Sequence, residues 1–158
     1  FRVRKSLGAF LASNSAARVD AATGVFRLLY SATTAQSGRW QMPLASDYSG
    51  NPRVNIIFSN DSTMAVSKTV IWALDVWGMA PGTIQAGLYL DTYAATNTLS
   101  IALAAGYTAG TLTSTTISIL NLTSFQAGNF IKLRLTASGG STGANTELLS
   151  SIFEYTRV

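Results

Sequence analysis

Apolar and polar positions alternate along much of this chain in short runs, punctuated by Gly, Pro, Asn and Asp. A period of two places successive side chains on opposite faces of a strand. The clearest run covers residues 66–77. Val66, Lys68, Val70, Trp72, Leu74 and Val76 fall on one face, and Thr69, Ile71, Ala73, Asp75 and Trp77 on the other. Both faces are apolar in the middle, so this strand is expected to be central, its second face covered by another chain or by the N-terminal residues. Further strands are predicted at 25–30, 39–42, 53–59, 86–90, 99–103, 112–120, 130–137 and 148–157. In the 130–137 run Ile131, Leu133 and Leu135 point inward, and in the last run Leu149, Phe153 and Tyr155 share a face.

Loop chemistry separates these runs. Residues 45–52, the Asn60-Asp61-Ser62 triplet, Pro81-Gly82, the 124–129 connector closed by Gly128 and the Gly/Ser-rich 138–146 segment read as turns. No amphipathic helix and no fixed-period repeat interrupts the pattern. Short strands at such spacing predict an all-β protein: an antiparallel β-sandwich, jelly-roll-like, of about eight to ten strands. Residues 1–22 stand apart as an N-terminal arm, with a short helix near 15–21 or an extended course as alternatives. Residues 23–158 form the sandwich domain.

Composition sharpens this picture. The 158 residues suit one domain, and 47% of them are apolar while only 11% are charged. Ordinary soluble domains carry about 25% charged residues. Ser, Thr, Asn and Gly must therefore make most of the surface, which suits a protein held in an assembly. The net charge is +4, and Arg2, Arg4 and Lys5 concentrate three basic residues at the start, leaving a nearly neutral body. Such a tail is a candidate contact for an acidic partner. The body lacks the basic stripe with interleaved aromatics that nucleic-acid binding requires. No apolar run is long enough for a membrane helix. The chain begins at Phe1 rather than Met, so an upstream segment is expected.

Candidate chemistry is sparse. The chain has no His and no Cys, which removes a Ser-His-Asp triad, disulfides and thiolate metal sites. Gly139-Gly140-Ser141-Thr142-Gly143 fits G-x-S-x-G, but a strand rather than a helix follows it, so it reads as a loop. Lys68 and Lys132, mid-strand, are expected to face solvent. Asp75 and Glu154 lie mid-strand between bulky neighbours. They are a carboxylate pair for glycoside hydrolysis, partners of arginines such as Arg134 or Arg157, or solvent-facing groups at a subunit contact. Asn60-Asp61-Ser62, and Asp47 with Asn51, offer oxygen ligands of the kind calcium takes, and equally of the kind turns use. Asn60-Asp61-Ser62 and Asn121-Leu122-Thr123 fit the N-glycosylation triplet. No cofactor or specific metal is expected, and no enzymatic activity. Trp40, Ile71 and Trp77 are candidate subunit-interface residues. Tyr48, Tyr89, Tyr93 and Tyr107, in or beside loops, are candidate sugar-stacking aromatics.

Four stretches in order carry a resemblance: Arg39-Trp40-Gln41-Met42-Pro43-Leu44-Ala45-Ser46-Asp47-Tyr48-Ser49-Gly50-Asn51-Pro52, Val70-Ile71-Trp72-Ala73-Leu74-Asp75-Val76, Ala127-Gly128-Asn129-Phe130-Ile131-Lys132-Leu133-Arg134-Leu135 and Phe153-Glu154-Tyr155. From about residue 25 onward the chain resembles small jelly-roll domains of tailed-phage and phage-like virion proteins. The resemblance implies a homotrimeric, non-enzymatic virion structural protein at the particle surface, either a capsid decoration (cement) or a fibre-head domain. Its partners would be its own copies and other virion proteins such as the major capsid protein, with residues 1–22 as the attachment segment. The alternative is a carbohydrate- or receptor-binding module that uses the loop aromatics.

Overall fold

The computed structural model describes residues 1–7, 10–11, 16–20, 25–32, 36–82, 93, 95–120, 125–138 and 142–158. These residues form eleven strands: β1 (Arg2–Ser6), β2 (Phe10–Leu11), β3 (Ala16–Asp20), β4 (Val25–Tyr30), β5 (Gln36–Pro43), β6 (Tyr48–Asn60), β7 (Lys68–Met79), β8 (Ala95–Leu103), β9 (Thr113–Ser118), β10 (Phe130–Ser138) and β11 (Thr146–Arg157). Two antiparallel sheets result. Sheet A runs β3-β4-β11-β6-β9 with β1 also on β11, and sheet B runs β2-β5-β10-β7-β8. The pairs β4·β11, β5·β10, β6·β9 and β7·β8 are nested one inside the next. A chain folded back on itself in this way and then rolled into two facing sheets is a jelly roll. The expected sandwich is the observed one.

Alternation builds the core as the sequence foretells. Val70, Trp72, Leu74 and Val76 of β7 are wholly buried, as are Ile131, Leu133 and Leu135 of β10 and Val54, Ile56 and Phe58 of β6. Each such side chain contributes about 1.5–3 kcal/mol relative to an exposed one. Trp72 sits between Tyr30 and Phe58, edge-on to both at 5.3 Å. The Tyr30 hydroxyl donates to the Leu135 carbonyl across the gap at 3.1 Å, and burial pushes its pKa up. Gly38 makes this packing fit. A Cβ there would lie 2.7 Å from Leu28 Cδ1 and 3.0 Å from the Tyr30 oxygen.

Three departures have physical causes. The 45–52 stretch is not all loop: β6 begins at Tyr48 and passes through Gly50 and Asn51, both at positive φ. These residues absorb register irregularities opposite Thr156 and Arg157. In β11 a second irregularity between Leu148 and Ser150 shifts the alternation, so Leu148 rather than Leu149 enters the core with Phe153 and Tyr155. The stretch read as an arm contains strands in both sheets: β1 on β11, β3 on β4 and β2 on β5. The expected strand at 86–90 lies outside the described residues.

Candidate interaction faces

Strand pairing gives each sheet a row of polar side chains across its outer face. On sheet A the register aligns Arg4, Glu154, Arg53 and Ser118. Glu154 alternates with the core residues Phe153 and Tyr155, so it points away from the core, yet its side chain is only 1% exposed. Arginines cover it. Arg53 reaches one carboxylate oxygen through Nε at 2.8 Å and through a terminal nitrogen at 2.7 Å. Arg4 Nε donates to the other oxygen, and Arg2 stands 4.0 Å away. Burial pushes the Glu154 pKa up, but hydrogen bonds from Arg4, Arg53 and Asn55 outweigh it and hold the value at about 2. Three cations thus share one carboxylate, and Arg2 and Arg4 remain 57% and 69% exposed. Ser6, Ile152, Asn55 and Thr116 form the next row, in which Thr116 donates to Asn55 at 2.5 Å.

On sheet B the register aligns Arg39, Arg134, Asp75 and Thr96. Arg134 Nε donates to Asp75 at 2.7 Å, and Thr96 donates to the other oxygen at 2.5 Å. Aromatics cover this row. Tyr93 lies 4.4 Å from the Arg134 guanidinium carbon and 4.7 Å from Lys132 Nζ, and Trp77 lies 5.1 Å from the same Nζ. Lys132 was expected in solvent, but it is buried, because the two rings hold its ammonium by cation–π attraction.

The remaining candidates divide. Asp75 and Glu154 do pair with arginines, Asp75 with Arg134 as expected. Arg157 instead pairs with Asp47, whose pKa is lowered by that hydrogen bond. The two carboxylates stand on opposite outer faces. The sheets lie about 10 Å apart and both side chains point away from the gap, so the pair does not flank a common cleft of the kind glycoside hydrolysis needs. Trp40 is a core residue, not an interface residue, because its position in β5 faces inward beside Gly38. Ile71 and Trp77 are half-buried on the outer face of sheet B. Tyr48 packs on Tyr155 at 5.7 Å. Tyr107 ties its own loop to the end of β6: its hydroxyl accepts from the Asn60 N–H at 2.9 Å and donates to the Thr111 carbonyl at 2.6 Å. Tyr89 lies outside the described residues. Lys5 is half-buried in β1, on the opposite face from Arg2 and Arg4.

The turn triplet also has a structural explanation. Asp61 accepts from the Asn145 backbone at 3.0 Å and side chain at 2.8 Å, and Asn60 accepts from Ser62 at 3.2 Å. Asn60 is fully buried, so it cannot take a glycan in the folded chain. Asn121 lies outside the described residues. Among the described residues no three metal-ligating side chains cluster, and no helix is long and apolar enough to cross a membrane.

The fold therefore places the chain among jelly-roll β-sandwiches. No protein-family profile and no curated protein matches the sequence. Solved structures that resemble it include a chain of the infectious bursal disease virus Gx strain, at 16% identity and TM-score 0.47, over 99% of this chain and 32% of that one. Another is the family 11 carbohydrate-binding module of Clostridium thermocellum in complex with a β-1,3-1,4-mixed-linked tetrasaccharide. It shows 10% identity and TM-score 0.47 over 96% of this chain and 87% of that one. A third is the CBM29_1 carbohydrate-binding module of Piromyces equi, at 10% identity and TM-score 0.38, over 98% and 91%. This chain spans about a third of the viral chain's length.

Proposed function

We propose that this protein is a non-enzymatic structural module of a virion, a capsid-decoration or fibre-head domain that acts as a homotrimer through subunit–subunit contacts. The observation that carries this reading is the flank formed by β8 and β9. Among the described strands each is the outermost of its sheet, and residues 92–131, which include both, contain no Asp, Glu, Lys or Arg. Solitary domains guard such edges with charges, prolines or bulges. A regular, uncharged edge suits a protein whose neighbours cover it. Light scattering at physiological salt tests the reading. A mass of three chains, stable on dilution, supports it, and a clean monomer counts against it.

Sugar binding is the second reading, favoured by the half-buried Trp77 and Tyr93 on the outer face of sheet B. A glycan array with no hits, or hits unchanged by Tyr93→Ala, would remove it.

A further inference from the structure

We infer that the outer face of sheet A at β1 docks an extended acidic segment of a neighbouring protein, with carboxylates at alternate positions received by Arg2 and Arg4. The inference rests on the structural-module reading and names the chemistry of its partner. Arg2, Arg4 and Arg53 bring three positive charges to one carboxylate, so the row keeps a surplus of two. Arg53 is engaged twice with Glu154. Arg4 meets the carboxylate through Nε, and a guanidinium has five N–H donors. Arg2 and Arg4 are the exposed members, and Glu154 orients the Arg4 fork rather than exhausting it.

Spacing selects the partner. Arg2 and Arg4 are two residues apart on one strand face, a separation of about 6.5–7 Å. An extended peptide repeats that distance between residues i and i+2, so Glu or Asp at alternate positions meets both forks. Among the described residues β11 is the strand neighbour of β1, and a segment running alongside β1 would extend sheet A by strand addition. A surplus of only two charges, with Ser6, Ile152, Asn55, Thr116 and Ser118 rather than aromatics beside the arginines on the same strand face, favours a peptide over a single-stranded nucleic acid, which uses stacking platforms.

The test is fluorescence anisotropy of the full chain with a labelled peptide of alternating Glu and Thr, beside one of alternating Gln and Thr. The Glu peptide is expected to bind, to weaken between 50 and 200 mM salt, and to lose about tenfold or more in affinity with Arg2→Glu. Arg2 stands farthest from Glu154, so this variant keeps the Arg4 and Arg53 pairs and should fold, which circular dichroism checks. Arg4→Lys, which loses the fork but keeps the charge, should weaken binding less. Equal binding of the Gln peptide, indifference to Arg2→Glu, or tighter binding of oligo-dT than of the Glu peptide would each overturn the inference. A stable trimer that ignores the Glu peptide would sink this inference alone, whereas a monomer that binds it would sink the trimer alone.

Discussion

The outer faces of the two sheets carry the same device and finish it differently. Each register aligns a carboxylate with arginines across neighbouring strands: Arg4–Glu154–Arg53 on sheet A and Arg39–Arg134–Asp75 on sheet B. On sheet A the arginines themselves form the lid, and two are more than half exposed. On sheet B, Tyr93 and Trp77 close over the cations, and Lys132 is buried beneath them. Both carboxylates are buried, but Arg2 and Arg4 stand more than half in water, whereas Lys132 is buried and Arg134 is 26% exposed. The same ionic row is therefore a structural element where rings cover it and an adaptable surface where they do not.

Removing the carboxylate tests this contrast most strongly. Asp75→Ala leaves Arg134 under an aromatic lid without its carboxylate partner and is expected to cost about 3–5 kcal/mol. Glu154→Ala frees arginines that can turn into solvent, so about 1–3 kcal/mol is expected, with greater sensitivity to salt. Urea denaturation of both variants measures the difference. Equal costs would mean that the aromatic lid does not matter.

Acid tests the sheet A cluster directly. The folded-state pKa of Glu154, about 2, lies below the ordinary glutamate value of about 4.3. A depressed carboxylate contributes stability that is complete above about pH 4.5, falls as pH drops towards 2 and is gone below it. Thermal melts of the parent chain and Glu154→Gln should converge across that window. A constant gap between pH 5 and 2 would contradict the shared-carboxylate geometry. Smaller still, Thr96→Val removes one hydrogen bond to Asp75 and should cost about 1 kcal/mol. Arg2→Ala, at an exposed pair of 4.0 Å, should change stability by less than about 0.5 kcal/mol. A larger loss would make Arg2 a structural residue rather than a docking one.

Much of the architecture was legible from alternation. The inward set of β10 was read correctly and the two faces of β7 were separated correctly, because a period of two fixes which residues share a face. The slip at Leu149 shows where that logic ends: one irregularity in β11 exchanges the faces upstream of it. The strands β1, β2 and β3 were not legible in the N-terminal residues, because strands that add to sheets built by distant segments carry little local pattern. Lys132 was misplaced because alternation says which way a side chain leaves the sheet, not what lies over it.

Sequence alone determined the class of this protein. Alternating short runs, turn residues at regular intervals and scarce charge leave an all-β sandwich, and the lack of His and Cys closes the commonest routes to catalysis. Tertiary structure decided the sites. Arg4, Arg53 and Glu154 are far apart in the chain, and only the register of β1, β11 and β6 makes them neighbours. Whether a charged residue becomes a surface or a buried support depends on which rings and guanidiniums reach it. That outcome is a property of cross-strand pairing, which no local pattern encodes.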